Sequence, residues 1–548
     1  MIGAPARVSI AALAAVVAYL ALAACCAASV GIVGEVAIGW ALPEPPRVLA
    51  SLDPPGDGVA RAGPFEARVT RPTASLVVGG ARLPLAVNAY TGGPPDWPAR
   101  AARAITGRVG AGQAVNVGLG ALLLLLAHRF LRFYGSPIAA GAAALVLATD
   151  WCFVFYRKVL GGTEVLLQAA ALLVLWSLWS RRWRGGVHGT VAIAVGVGLG
   201  LLAKATFACT LAAFAVAVLA TRWDHPDVKP PVGVRASVLV GIPAVCLAPL
   251  AAAWALHAAL PLPAIPSHDS IALQLGRLGT SGGRETAWNL ACFLGDPRAS
   301  LAAAWGTVAL PPVSPLRAIG FGVLVAGTAL EWRTRTKSPA AGLLRFLSIF
   351  VPAQIAMLFA ANRDLHHLAQ ATTPLALWMG LAVDRLAGEL APPRSWRRAL
   401  AAGVLVLPMA IAGVRQLAGT DAVVATARAR TFTEDGQAAL VGALRGAGVE
   451  RLVTSDYEVY GMLEARAPEI AVVHTWPAIA AKAARADVLR AARGGHYLSV
   501  RPSAPMIYDW APAEADVRRV AAEAGVTVTL EASLSDGQKA WATVWRVE

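Results

Sequence analysis

Glu35, in the stretch SVGIVGEVAIGW (29–40), closes a long apolar run with no neighbouring base to pair with. A carboxylate in that position either marks the exit of the chain from an apolar phase or takes a proton from an attacking hydroxyl. Other ionisable groups fall at the ends of apolar runs in the same way. DWCFVFYRKVLGGTEVL (150–166) carries Asp150, Tyr156, Arg157, Lys158 and Glu164. GLGLLAKAT (198–206) carries Lys204, and NRDLHHLAQ (362–370) carries Arg363, Asp364, His366 and His367. Arg, Lys and His grip phosphate oxygens, Arg through a bidentate fork and Lys as a point charge. Carboxylates and cations gathered at one place would therefore hold an anionic headgroup and activate a hydroxyl. Each residue also has a plainer reading. Arg157 and Lys158 could snorkel to headgroups, Lys204 could be a helix-end cation, and His366 and His367 interfacial hydrogen-bonders. Asp53 and Asp57, in LDPPGDG (52–58), are residue types that turns favour. No ligand spacing supports a metal site, and none is expected.

What must position these groups is a set of hydrophobic helices. The chain has 548 residues, 57% hydrophobic and only 15% charged, with a mean hydropathy of +0.57. A soluble protein carries about 25% charged residues, so this is the composition of an integral membrane protein. Its many Ala and Gly suit close helix–helix approach in lipid. A spanning helix needs about 20 mostly apolar residues. By that measure about eleven candidates stand out: 8–31, 110–131, 137–155, 160–179, 188–204, 205–221, 236–258, 316–331, 343–361, 365–384 and 398–415. The pair 188–221 reads either as one long helix or as two joined at Lys204. The first run could pass for a signal peptide, but its length and the spans that follow favour an uncleaved first helix.

The short connections SRRWRGG (180–186), TRWDHPDVKPPVGVR (221–235), EWRTRTK (331–337) and PPRSWRR (392–398) are all basic. The positive-inside bias puts them in the cytoplasm. The long segments 32–109 and 259–315, together with the C-terminus, then lie outside. Segment 32–109 holds short alternating runs with a hairpin turn at Gly79-Gly80, then an amphipathic surface helix near Trp97. From about 420 the composition turns soluble, with strand–helix alternation through ERLVTSDY, EIAVVHTW, HYLSVRP and VTVTLEAS. That pattern argues a small α/β domain with a largely parallel sheet. The expected architecture is thus a mostly α polytopic membrane domain over 1–418 and a soluble extracytoplasmic α/β domain over 419–548, in a bacterial inner membrane. The six cysteines show no CxxC or zinc spacing and read as small buried hydrophobes. The net charge of +15 sits beside spans and in the soluble region rather than in a basic stripe with interleaved aromatics, which excludes nucleic acid as a partner. GxGxxG and GxxxxGK[ST] are both missing, and no cofactor is expected.

Four segments resemble motifs of the GT-C membrane glycosyltransferases, in the branch with protein O-mannosyltransferases and aminoarabinose transferases. GEVAIGW (34–40) is similar to the acidic motif after the first helix. LPLAVNAYTGGPPDWPARAARAITG (83–107) is similar to the outer-loop pattern of a proline, a Tyr-x-Gly turn at Tyr90 and a surface helix. GVGLGLLAKAT (196–206) resembles the Gly-Leu-x-x-x-x-Lys helix, and HHLAQATTPLALWMGLA (366–382) the His-containing helix. The resemblance implies inverting transfer of a sugar from a polyprenyl-phosphate donor to a lipid, glycan or protein acceptor at the outer leaflet. It implies an acid of the first loop as general base, so Glu35, Asp57 and Glu164 are the candidate catalytic carboxylates. Tyr90, Tyr156, Arg157, Lys158, Lys204, Arg363, His366 and His367 are the candidates for holding substrate and phosphate. One departure stands out: where the family usually has Asp-Glu, this chain has Gly34-Glu35.

Gly34 motivates a second reading, a non-catalytic binder of lipid-linked sugars or an assembly subunit on the same scaffold. A transporter is the third. The paired halves and midplane breaks that mark many transporters are not evident here, and the outer soluble parts are large.

Overall fold

The computed structural model describes residues 9–26, 47–48, 58–159 with two-residue breaks between 63 and 90, 162–179, 187–221, 236–259, 283–305, 308–361, 365–391, 395–425 and most of 431–548 outside 455–458, 475–484 and 501–513. Helices dominate up to residue 425. They are α1 (Ile10–Cys25), α2 (Trp97–Thr106), α3 (Val109–Tyr134), α4 (Pro137–Thr149), α5 (Trp151–Val159), α6 (Gly162–Trp179), α7 (Val187–Ala203), α8 (Phe207–Thr221) and α9 (Ala236–Ala259). There follow α10 (Gly283–Leu294), α11 (Pro297–Trp305), α12 (Pro315–Thr334), α13 (Pro339–Ala361), a 3-10 segment (Leu365–Ala371), α14 (Thr372–Leu390), α15 (Trp396–Ala418) and α16 (Thr420–Val424).

Local chemistry explains where several of these begin. Ser9, Ser136 and Ser395 each accept a hydrogen bond from the backbone N–H three residues on, capping α1, α4 and α15, and Pro137 sits at the first turn of α4 where its missing N–H costs nothing. Small residues recur through the interior among the larger apolar ones. Ala139, Ala140, Ala143, Ala170, Ala371, Ala376 and Ala382 are all buried, which lets helix backbones approach closely.

Four stretches among the described residues are long and apolar enough to cross a membrane: Gly110–Tyr134, Gly162–Trp179, Pro339–Phe359 and Trp396–Val424. The apolar helices Ile10–Cys25, His188–Ala203, Phe207–Thr221 and Val238–Ala252 are shorter. The expected span 137–155 is a broken one, with Pro137–Thr149 and Trp151–Lys158 meeting at 52°. The ambiguous run 188–221 is two helices, α7 ending at Ala203 and α8 starting at Phe207. The run expected at 365–384 opens with a 3-10 turn and is α-helical only from Thr372.

Following the chain through the bundle places the ends of α1, α5, α7, α13 and α15 and the starts of α3, α6, α8, α12 and α14 at one end, here the loop-bearing end. An antiparallel meander of five strands lies in the first long loop: β2 (Gly58–Ala62), β3 (Phe65–Thr70), β4 (Thr73–Val78), β5 (Ala81–Asn88) and β6 (Thr91–Gly92). Val78 pairs with Ala81 in the antiparallel pair of β4 and β5, the turn expected at Gly79-Gly80 itself lies outside the described residues, and the meander packs on α9.

The C-terminal residues form α17 (Glu434–Gly446), α18 (Arg485–Ala491) and α19 (Glu514–Ala524) with β7 (Arg451–Thr454), β8 (Ala471–His474), β9 (Gly495–Val500), β10 (Val528–Asp536) and β11 (Lys539–Val547). The sheet order is β1-β8-β7-β9-β11-β10, where β1 (Arg47–Val48) comes from the first long loop and pairs in parallel with β8. The sheet is mixed rather than largely parallel: β1, β8, β7 and β9 run parallel, and β9, β11 and β10 antiparallel. The reason is the two-residue link between β10 and β11, too short for the crossover that a parallel pair needs.

Candidate functional site

The loop-bearing end is tied together by amide side chains. Gln168 on α6 is fully buried. Its Nε2 donates to the carbonyl of Ala369, and its Oε1 accepts from the hydroxyls of Thr372 (3.2 Å) and Thr373. Gln370 donates Nε2 to the Thr206 hydroxyl at 3.1 Å. One turn further along α8, Thr210 accepts from Gln354 of α13 at 2.9 Å. The 3-10 segment 365–371 is thus a strap held on one side by α6 and on the other by the turn between α7 and α8. The turn itself is where α7 stops: the Lys204 carbonyl accepts from the Phe207 N–H at 2.9 Å.

This network gathers groups that the sequence keeps far apart. His367 rides on the strap, three residues before Gln370. Lys204 lies two residues before Thr206. Glu164 is one helical turn before Gln168, on the same face of α6. All three side chains are almost fully buried, at 1%, 1% and 2% exposure, which is rare for Lys and Glu at the end of a membrane helix unless they serve a purpose. The outer loop meets the same place twice. A Cβ at Gly92 would fall 2.2 Å from the carbonyl oxygen of Leu202, so only glycine permits β6 (Thr91–Gly92) to lie against the last residues of α7, two residues before Lys204. Four residues on, the buried Asp96 accepts the N–H of Gly162 at 3.0 Å. It thereby caps the start of α6 two residues before Glu164.

The bent segment α4–α5 supplies the remaining expected residues. Asp150 sits at the bend, accepting the Phe153 N–H at 2.9 Å and Arg317 Nη2 at 3.1 Å. Arg317 Nη1 also donates to Gln416 (3.2 Å), and Gln416 to the carbonyl of Gly295 (2.9 Å). Trp151 Nε1 donates to the Thr420 hydroxyl at 2.7 Å. Bend, α12 and α15 are therefore locked as one piece. Tyr156 packs edge-on against Trp151 and Phe155. Lys158 donates to the carbonyl of Cys26 at 3.1 Å, closing the end of α1 in the way a cation favours a helix C-terminus. Arg157 is fully buried, within electrostatic reach of Tyr19, Glu164 and Asp150. It does not snorkel: its guanidinium lies over the Phe153 ring, 4.8 Å from the centroid.

Of the residues singled out from sequence, Glu164, Tyr156, Arg157, Lys158, Lys204 and His367 are therefore described and stand at this one end. Glu35, Asp53, Asp57, Tyr90 and Arg363 lie outside the described residues, as does the side chain of His366. Sequence reasoning missed Asp96, Gln168, Gln370 and Arg317. Asp96 had a local signal, an Asp beside Pro in GGPPDW, but it caps a helix that begins 66 residues later. The two glutamines read as ordinary polar interruptions of apolar runs. Among the described residues, no group of three or more His, Cys, Asp or Glu comes together in a way that could hold a metal ion.

No family model matches the sequence, and no curated protein matches it either. Solved structures do. ArnT from Cupriavidus metallidurans bound to undecaprenyl phosphate superposes with a TM-score of 0.53 over 98% of this chain and 97% of that one, at 12% identity. The same protein in the apo state gives 0.52 over the same shares at 12% identity. The likeness shows that this chain shares the fold of that protein.

Proposed function

We propose that the chain is a membrane glycosyltransferase that moves a sugar from a polyprenyl-phosphate donor to a lipid, glycan or protein acceptor at the outer leaflet, with inversion. The observation that carries the reading is the strap. In a GT-C fold, the hydrogen bonds of Gln168 and Gln370 bring Glu164, Lys204 and His367 to one end of the bundle, where the outer loop also docks. Undecaprenyl phosphate bound to the similar ArnT supports the donor class.

In this scheme a carboxylate takes the proton of the acceptor hydroxyl, whose oxygen attacks the anomeric carbon. The bond from that carbon to the phosphate oxygen breaks, and polyprenyl phosphate leaves with the electron pair. A charged phosphate leaves without needing a proton, so positioning and fixed positive charge carry much of the rate. Glu35, Asp57 and Glu164 are the proposed bases. Lys204 and His367, with Arg157, Lys158, Arg363 and His366, form the proposed phosphate grip, and Tyr90 and Tyr156 are proposed to line the donor. The C-terminal sheet and its helices, residues 419–548, are proposed as an extracytoplasmic α/β domain above about eleven spans, in a bacterial inner membrane.

The deciding experiment incubates the purified full chain in nanodiscs with labelled polyprenyl-phosphate sugars and a panel of lipid, glycan and protein acceptors. Wild type is expected to transfer label with inverted anomeric configuration, and Lys204→Met to lose most of it. Gly34, where the family has an acid, supports a second reading as a non-catalytic binder. Donor binding without turnover across the panel would establish that reading and sink the first.

A further inference from the structure

Strand β1 belongs to the first outer loop, yet it lies in the C-terminal sheet. Its two residues pair in parallel with β8, Arg47 opposite Val473 and Val48 opposite His474. In the sheet order β8 stands between β7 and β1. Without β1, the outer edge of β8 would present backbone N–H and C=O groups with no strand beside them. Such an edge takes up an extended segment through main-chain hydrogen bonds, with little demand on its side chains. A strand of two residues persists on those terms, because β8 supplies the template.

The start of the same loop rests on the same part of the chain. α1 ends against α16: the Cys26 side chain, 2% exposed, hydrogen-bonds with that of Thr420 and lies within electrostatic reach of Asp421. Thr420 is itself fixed. It is fully buried, its hydroxyl accepts from Trp151 Nε1 at 2.7 Å, and it donates to the Gln416 carbonyl at 2.8 Å. The loop thus leaves α1 at one anchor and meets a second at β1, 21 positions later, and β2 begins 10 positions after Val48. Glu35 falls between the first two anchors in sequence, and Asp53 and Asp57 between β1 and β2. Ten residues span at most about 35 Å. Dividing one long loop into two shorter ones also lowers the entropy lost in placing a group within it.

We infer that the C-terminal unit is an internal holder of the first outer loop, gripping residues 47–48 on the edge of β8 and the end of α1 on Thr420, and that it thereby positions the carboxylates of that loop. No residue of the unit carries a chemical step; β1 and β8 are positioning elements. The positioning role rests on the proposed transfer reaction, whereas the grip itself does not.

The test uses the full chain in nanodiscs and three readouts. Arg47 is the first Lys or Arg after Arg7, so trypsin reports on the grip at one bond, which resists cleavage until the pairing opens. Val48→Gly, a residue of low strand propensity, is expected to be cut at Arg47 several-fold faster than wild type, each rate taken relative to a synthetic peptide of the same sequence. Arg47→Cys with Val473→Cys is expected to form an intramolecular disulfide on oxidation, found by peptide mapping. Arg47→Cys with Ala471→Cys, out of register, is expected to form far less. In the transfer assay Val48→Gly is expected to lower kcat by about 10- to 100-fold, the scale of a misplaced catalytic group, with donor affinity unchanged. Adding the oxidised Arg47→Cys/Val473→Cys pair to Val48→Gly is expected to restore kcat, which a merely structural role would not produce. Equal relative cutting rates, or equal disulfide yields from the two pairs, overturn the grip. Full transfer by a Val48→Gly protein that trypsin cuts fast overturns the positioning role. A wild type that transfers nothing sinks the proposed reaction and the positioning role with it, while trypsin and disulfide yields still decide the grip.

Discussion

Gln370 donates its side-chain amide to the hydroxyl of Thr206 at 3.1 Å, joining positions 164 apart in the chain. The bond fixes the strap that carries His367 to the turn that carries Lys204. If those two side chains act together, cutting the bond will impair both without touching either. Gln370→Leu and Thr206→Val are each expected to lower transfer about tenfold. The double variant should be little worse than either single one, because both remove one interaction. Transfer rates in a double-mutant cycle check this, and additive losses would mean that the two residues act separately.

The base is decided by three substitutions. Removal of a general base costs about 10²–10⁴-fold in rate, so one of Glu35→Gln, Asp57→Asn and Glu164→Gln should lose transfer on that scale while still binding donor. If all three retain wild-type rates, no carboxylate proposed here is the base.

Asp96 holds the first N–H of α6 from a buried position. Asp96→Ala should destabilise the protein by about 1 kcal/mol, the worth of a helix cap, and lower transfer by shifting Glu164. Asp96→Asn keeps an acceptor oxygen and should restore most of both. Unfolding midpoints and rates measured side by side separate the two effects, and an equal loss in both variants would point to the charge rather than the cap.

The Asp150–Arg317 pair is nearly buried, with side chains 10% and 2% exposed. Arg317→Met leaves Asp150 without its cation at the bend and should cost about 3–5 kcal/mol. Adding Asp150→Asn, which preserves the cap on Phe153, should recover much of that loss. Thermal unfolding in detergent reads the difference, and a stable Arg317→Met protein would refute the lock assigned to this pair.

Topology is testable without activity. A phosphatase reporter that is active only outside the cytoplasm, fused after Glu548, should be active, and the same reporter placed in 331–337 should be inactive. The reverse pattern would invert the proposed orientation.

Part of this protein is legible in its sequence. Apolar runs about 20 residues long, separated by basic turns, announce a helical membrane protein and the helices that carry its polar ends, because burial in lipid imposes that pattern residue by residue. The antiparallel pairing of β4 with β5 and the helix that starts at Trp97 follow from local turn and amphipathic chemistry. The mixed C-terminal sheet was harder to read. Strand β1, two residues long, has no signal of its own and exists only through pairing with β8.

The site divides along the same line. Residue type and sidedness mark Glu164, Arg157, Lys204 and His367 as groups that lipid would not tolerate without purpose. Which of them meet was decided by tertiary structure. Gln168, Gln370 and Asp96 look ordinary in sequence and gain their roles from partners roughly 70 to 200 residues away. The same holds for Arg157, whose type suggested a side chain reaching out to headgroups and whose packing turns it inward, over Phe153 and towards Tyr19. Local sequence sets the cost of burying a charge, but only the packing of distant helices determines what surrounds it.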